Sequence, residues 1–343
     1  MISILKPASS TDSNRLQSDQ KDLCQWYKLV KRDLPWRKNR DAYKIWISEV
    51  MLQQTTVATV IPYYHRFIDR FPDIRALAQA KEKDVIENWA GLGYYSRARN
   101  LHKAAIQLHQ KGFPNNHVEL LALPGFGPYT ARAVASIAFG EAVGVLDGNV
   151  IRVLSRKHGL FLEWWKPQAR HLLQQIADQL TQVQGASPSD VNQGLMELGA
   201  TICTPKSPAC ALCPWSKSCV ALKEKLIEEL PLKKPRPERE IWQWSPSVVV
   251  TKGKTLFVPN NYAPFLKGHW ILPGTVRKLT KAPKTYDFKG VVTRFDIYVR
   301  LTSSTQKPIK ASKAPQSKWL TPSELLSEVP SSLIRKALSL HQK

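Results

Sequence analysis

A chain of 343 residues has room for two domains, and a hydrophobic share of 43% is enough to bury a core in each. Lys and Arg outnumber Asp and Glu by 50 to 27, a formal charge of +23 that points to a polyanionic partner: DNA, RNA or an anionic membrane surface. The opening Met1–Leu5 run is too short for a secretory signal, and no stretch reaches the roughly 18 apolar residues of a membrane-spanning helix. A soluble, cytoplasmic protein (nucleoid-associated in a bacterium) is therefore expected, with reduced thiols and any cysteine cluster reserved for metal.

Residues 1–20 are polar, rich in Ser, Asp and Gln, and read as a disordered tail. From Asp22 to about Lys225 the apolar residues recur at helical spacing. Leu23, Trp26, Tyr27 and Val30 make one stripe, and Val85, Trp89 and Leu92 begin another. Phe71-Pro72-Asp73, Lys111-Gly112-Phe113-Pro114 and Gly185-Ala186-Ser187-Pro188 punctuate the pattern as turns. Residues 21–225 therefore read as an all-α domain. The Pro-rich, charged run from Leu230 to Arg239 makes 226–244 a linker. Beyond it, Ser247–Val250 and Thr255–Val258 flank Lys252-Gly253-Lys254 as a β-hairpin. Asp296–Leu301 alternates like a half-buried strand, and Ser331–Gln342 reads as a helix. Residues 245–343 are thus a small α/β domain.

Three features carry chemistry. Cys203, Cys210, Cys213 and Cys219 lie within 17 residues in a C-x6-C-x2-C-x5-C pattern. Four soft thiolates on one loop suit a tetrahedral zinc or a cubane cluster, and the single C-x2-C pair departs from a zinc ribbon, which usually has two. Cys24, on the first apolar stripe, reads as core. Next, Leu123-Pro124-Gly125-Phe126-Gly127-Pro128 opens an Ala-rich helix. Gly125 and Gly127 let the backbone turn tightly, and the helix start offers N–H groups to a phosphate, in the manner of a helix-hairpin-helix element. Last, two carboxylates stand in contrasting settings. Glu49 lies in the apolar helical segment Trp46–Leu52, where burial would raise its pKa and suit it to be a general acid; a surface-facing helix position is the alternative. Asp147, in Val145–Val150, reads first as a helix N-cap.

The stretches Trp46-Ile47-Ser48-Glu49-Val50-Met51-Leu52-Gln53-Gln54-Thr55, Ile61-Pro62-Tyr63-Tyr64, Gly91-Leu92-Gly93-Tyr94-Tyr95-Ser96-Arg97-Ala98-Arg99-Asn100-Leu101 and Leu195-Met196-Glu197-Leu198-Gly199-Ala200 resemble the MutY adenine glycosylases. The resemblance is dense from about Leu34 to Cys219. It implies a two-lobed, all-α helix-hairpin-helix glycosylase domain whose loop 203–219 holds a [4Fe-4S] cluster on Cys203, Cys210, Cys213 and Cys219. The implied substrate is double-stranded DNA with adenine opposite 8-oxoguanine or guanine, bound by a monomer. Glu49 would protonate adenine N7, Asp147 would stabilise the sugar cation, and Asn149 would orient that site. Tyr129 stands where lyase-competent relatives carry a lysine, so no Schiff base forms and the enzyme is monofunctional. Trp36, Arg37, Leu52, Val57 and Glu197 would line the flipped adenine, while Gln54, Thr55, Leu92 and Tyr94 would face the opposite purine. Gly125 and Gly127 would meet the DNA backbone.

Such proteins end in a Nudix-like domain that reads 8-oxoguanine, and Gly268-His269-Trp270-Ile271-Leu272-Pro273-Gly274 resembles the opening of a Nudix box. No acidic helix follows, so nucleotide hydrolysis is not expected of residues 245–343. Val292-Thr293-Arg294 stands where the family carries Phe-Ser-His, leaving Arg294 either to contact the purine or to be a solvated edge residue. Two other readings remain: an endonuclease III-like glycosylase with lyase activity, which Tyr129 opposes, and a non-catalytic DNA-binding relative, which intact Glu49 and Asp147 oppose. Contacts with a sliding clamp or AP endonuclease leave no mark in the sequence.

Overall fold

The computed structural model describes residues 10–235, 237–302, 317–322, 324–325, 329 and 331–341. The chain divides into two units, Met1–Lys234 and Pro235–Lys343. No helix among the described residues is long and apolar enough to cross a membrane.

Among its described residues the first unit is built from helices and the loops between them, with no strand. Its helices are α1 (Ser10–Val30), α2 (Ala42–Met51), α3 (Val57–Arg70), α4 (Ile74–Gln79), α5 (Glu82–Trp89), α6 (Tyr95–Lys111), α7 (His117–Leu121), α8 (Pro128–Phe139), α9 (Gly148–His158), α10 (Pro167–Gln182), α11 (Pro188–Thr201) and α12 (Val220–Lys223). Two groups form. In one, α2 packs on α3 and α8, and α6 covers α4 and α5; in the other, α11 packs on α1, α9 and α10, while α8 also touches α11. The two groups share one apolar core. Trp46 sits deep in it, stacked on Phe126 at 5.2 Å and edge-on to Phe113. Burying a ring of that size contributes roughly 3 kcal/mol or more.

Helix α2 is fixed at both ends. Asp41 caps its start, accepting from the Tyr43 and Lys44 N–H groups. At its end Arg97 donates to the carbonyls of Val50 and Gln53, both at 2.7 Å, groups that a helix terminus leaves without partners. The same guanidinium lies against the rings of Trp89 and Tyr94.

The expected disordered tail 1–20 is wrong over its second half: α1 begins at Ser10. Asp19 and Gln20 are buried. Gln20 donates to the carbonyls of Leu180 and Val183. Lys157 Nζ donates to Asp19 (2.6 Å), and Trp215 Nε1 donates to the Asp19 carbonyl. A polar helix face thus meets polar partners, and composition alone does not reveal them. Residues 1–9 lie outside the described residues. The expected linker 226–244 is also too long. Leu230 is buried with its carbonyl held by Arg156, and strand β1 (Glu240–Pro246) begins before Trp244.

The second unit holds two sheets. Strands β2 (Val250–Thr251), β3 (Lys254–Pro259), β4 (Trp270–Ile271), β5 (Gly274–Leu279), β6 (Phe288–Val292), β7 (Phe295–Val299) and β8 (Lys318–Leu320) follow β1, with a helix over Ser332–His341. One sheet runs β5-β1-β7-β6, with β1 and β7 parallel; the other is β2-β3-β4, with β8 also pairing β3. The expected hairpin forms between Val250 and Thr255, shorter on its first arm. Strand Asp296–Leu301 starts one residue earlier and is buried at Ile297, Tyr298 and Val299 in succession rather than alternating. After Gly274 the chain forms strand β5, not a helix.

Candidate active site

A cavity of ≈ 830 Å³ opens where α2, α8, α11 and the start of α9 meet, walled also by the turn Pro35–Arg37 and the segment 52–58. Glu49 projects into it from α2. Its apolar neighbours Trp46, Ile47 and Val50 belong to the core, so the carboxyl is carried into largely apolar surroundings and the residue is only 5% exposed. Tyr129, in the first turn of α8, donates its hydroxyl to Glu49 Oε2 at 2.6 Å and lies 3.1 Å from Met196 Sδ. Burial pushes the Glu49 carboxyl up from 4.5 to about 7; the Tyr129 hydrogen bond and Arg37 act against the rise, and the charge of Asp147 adds to it. Burial also raises the Tyr129 phenol well above 10, helped by the charges of Glu49 and Asp147.

Asp147 caps α9 and lines the cavity at once. Oδ1 accepts from Val150 N (2.7 Å) and Oδ2 from Asn149 Nδ2 (3.0 Å). The N-cap expectation is correct, and the cap is also a pocket wall. Burial raises the Asp147 carboxyl above its ordinary value, with the N–H donors of Val150 and Asn149 opposing. Asn149 is oriented in turn: Arg152 donates to its Oδ1 (2.8 Å) and also to the carbonyls of Gly199 and Cys203, both at 2.7 Å. Since Arg152 claims the amide oxygen, the Asn149 NH₂ is left to face Asp147.

Glu197 on α11 is 1% exposed. Arg32 grips it through Nε (2.6 Å) and Nη2 (2.9 Å), and Arg37 through Nη2 (2.8 Å). Burial alone would raise this carboxyl, but the two guanidiniums outweigh that and hold it below the ordinary range.

Of the sequence-predicted residues, Glu49, Asp147, Tyr129, Asn149, Trp36, Arg37, Leu52, Val57, Glu197, Gln54 and Thr55 all line this one cavity. Leu92 does not: it is buried in the core nearby. Tyr94 stands outside as well, 61% exposed on a left-handed backbone (φ 47°) at the start of α6. Such a conformation is uncommon for a residue other than glycine, and Arg97 packs against its ring. Gly125 has φ +80°, and a Cβ there would come within 2.8 Å of Asn100 Cβ, so both backbone and space require glycine. Gly127 is different: it is extended at the N-cap of α8, with open space where a side chain would be. Arg294 lies in the second unit at the turn between β6 and β7, paired to Glu240 at 2.9 Å and packed on Phe295. It behaves as an edge residue with a partner. Sequence reasoning missed Arg32, Met196 and Gln53 as cavity residues. The charged run Lys31-Arg32-Asp33 gives no local sign that Arg32 turns inward.

Cys203, Cys210, Cys213 and Cys219 line a separate recess with Arg156 and Lys157. Burial raises the Cys213 thiol to about 11, and the other three cysteines add to the rise, which places all four within electrostatic reach of one another. Arg156 points Nη1 at Cys203 Sγ (3.5 Å). Among the described residues no three His, Cys, Asp or Glu side chains converge tightly enough for a single metal ion. Cys24 is buried in the core, as expected.

Residues 47–182 match the model of the HhH-GPD superfamily of base excision DNA repair proteins. The chain is 38% identical over 260 residues to the adenine DNA glycosylase of Buchnera aphidicola subsp. Schizaphis graminum, aligning 75% of its own length and 70% of that protein. It is 46% identical over 220 residues to the adenine DNA glycosylase of Homo sapiens, aligning 61% of its own length and 40% of that protein. Among solved structures, a thermostable thymine-DNA glycosylase superposes with a TM-score of 0.56 at 30% identity, over 63% of this chain and 100% of that one.

Proposed function

The chain belongs to the adenine DNA glycosylase family, and from that premise we propose that its cavity hydrolyses the N-glycosidic bond of adenine mispaired with 8-oxoguanine or guanine in double-stranded DNA. The observation that carries the reading is a pair of carboxyls in one pocket, both raised by burial but held by different hydrogen-bond partners. Glu49, buried beside Tyr129 and pushed up to about 7, carries a proton in about half of the molecules at neutral pH, a proton it can give to adenine N7. Asp147 is hydrogen-bonded by Val150 and Asn149, contacts that favour its anion and suit it to face an oxocarbenium-like sugar. Tyr129 supplies no amine, so water is the final nucleophile and the enzyme is monofunctional. Trp36, Arg37, Leu52, Val57 and Glu197 would wall the flipped base; Gln54 and Thr55, with Leu92 and Tyr94, would meet the opposite purine. Tyr94 is already exposed on its strained turn, which supports a wedging role. The open N-cap at Gly127 supports backbone contact beside Gly125.

Cys203, Cys210, Cys213 and Cys219 would hold a [4Fe-4S] cluster. Their shared recess fits a group that spreads four thiolates more widely than one ion does, and Arg156 at Cys203 suits its negative charge. When bound, the cluster would fix the loop. The second unit reads as a reduced Nudix-like domain: its parallel β1–β7 pair and the strand in place of an acidic helix support recognition without hydrolysis.

The test is single-turnover base release from duplexes with adenine opposite 8-oxoguanine, guanine or cytosine, read with and without alkali. Release opposite 8-oxoguanine and guanine, with strand breaks only after alkali, is expected. Glu49→Gln should slow release by about 10²–10⁴-fold, the usual contribution of a general acid. Breaks without alkali would favour a lyase, and no release at all would leave a non-catalytic DNA binder.

A further inference from the structure

The Tyr129 hydroxyl has one proton and two acceptors, Glu49 Oε2 at 2.6 Å and Met196 Sδ at 3.1 Å. It cannot donate to both. When Glu49 is a carboxylate, the charged oxygen is far the better acceptor. When Glu49 is protonated, its remaining carbonyl oxygen is only a neutral acceptor, and a polarizable thioether at this distance competes. We propose that Met196 is a positioning residue for proton delivery, the alternative acceptor to which the Tyr129 hydroxyl turns while Glu49 carries its proton. The inference rests on the glycosylase reading of this pocket and adds a part to it.

The cycle balances without further reactants. Protonated Glu49 keeps its O–H for the base, since Tyr129 meets it only as a donor and in this state donates to sulfur instead. The proton passes from Glu49 to adenine N7, and Glu49 becomes a carboxylate. The Tyr129 O–H then rotates from Met196 to Glu49 and stabilises the new anion. Tyr129 loses no proton at any stage, as its strongly raised pKa requires.

Removing the sulfur raises the free energy of the protonated state alone, so the Glu49 titration midpoint should fall. The other groups that bear on Glu49 are Asp147 at the start of α9, which favours protonation, and Arg37 in the Pro35–Arg37 turn, which opposes it. Glu197, one residue from Met196 on α11, is itself neutralised by Arg32 and Arg37. A change at Met196 alters none of these charges.

The experiment is a pH titration of the full chain labelled with ¹³C at glutamate carboxyls, with Glu49→Gln assigning the resonance. In Met196→Leu the Glu49 midpoint should drop by about half a pH unit, the scale of a weak neutral hydrogen bond. Met196→Gln, which restores an acceptor, should bring it back. In a Tyr129→Phe background, Met196→Leu should produce no drop. An unchanged midpoint in Met196→Leu, or an equal drop without the Tyr129 hydroxyl, would overturn the proposal. Where Met196→Leu fails to fold, norleucine incorporated in place of methionine removes the sulfur while keeping the side-chain shape, and the same shift is expected. Because this titration needs no DNA, it stands apart from the base-release assay. Where adenine is released, the pH profile of the single-turnover rate should move by the same amount and in the same direction.

Discussion

The two units treat charge in opposite ways. In the helical unit Asp19, Glu49, Arg156, Lys157 and Glu197 are all buried. Four of them are matched by ionic or multiple hydrogen-bonding partners: Lys157 by Asp19, Glu197 by Arg32 and Arg37, and Arg156 by the carbonyls of Leu230 and Thr204. Glu49 alone has a neutral hydroxyl in that place and takes up a proton instead. Among the described residues of the second unit no charged side chain is buried to that degree. Its ion pairs, Arg239 and Lys289 on Asp296, and Lys278 and Arg294 on Glu240, lie across the sheet surface in contact with solvent. Desolvating an ion costs several kcal/mol, whereas an exposed pair is worth about 0–1 kcal/mol. The helical unit carries that cost where the cavity and the cysteine recess are built, and the β unit folds on an apolar core.

The sharpest way to break this contrast is to remove one buried partner. Glu197→Ala leaves Arg32 and Arg37 facing each other without their anion, and should cost about 3–5 kcal/mol of stability in urea unfolding followed by helical circular dichroism. A loss below about 1 kcal/mol would mean that the guanidiniums simply turn to water. Glu49→Gln should act the other way. The folded carboxyl titrates near 7 and the unfolded one near 4.5, so the native state holds a proton that the unfolded chain gives up across that window. Stability is therefore lost as pH rises from about 4.5 to 7, by a total on the order of 3 kcal/mol. Replacing the acid with an amide should restore much of that at pH 8 and little at pH 4, even as it removes activity; comparing the two melting curves checks the sign. The smallest effect belongs to the second unit: Arg294→Ala should change stability by no more than about 1 kcal/mol, and high salt should erase the difference.

What could be read from the sequence follows the same divide. Glu49 was legible because its apolar neighbours lie at helical spacing on both sides, which already implies desolvation. Asp147 was legible as a cap, since its turn is local; its place in the cavity depends on α2 and α8 crossing nearby, and no local signal encodes that. The polar start of α1 misled because Asp19 and Gln20 look solvated until Lys157, Trp215 and the carbonyls of Leu180 and Val183 are brought to them. Lys157 misleads in the same way: in Arg156-Lys157-His158 it reads as an exposed basic last turn, yet it is 2% exposed. Met196 stood only within the Leu195–Ala200 stretch, with no role of its own. The β unit gave up its hairpin and its last helix, whose signals are short-range, while the alternation expected over Asp296–Leu301 gave way to a strand covered on both faces at Ile297 and Tyr298.

The way α1 is held has a consequence in time. Asp19 finds its partners 138, 196 and 199 residues further along the chain, at Lys157, Trp215 and Ser218. On a ribosome adding roughly 5–20 residues per second, the helix emerges some ten to forty seconds before the last of them. The helix is made well before the groups that hold its polar face. The polar seat of Asp19 is complete only once Ser218, in the cysteine loop, has been made.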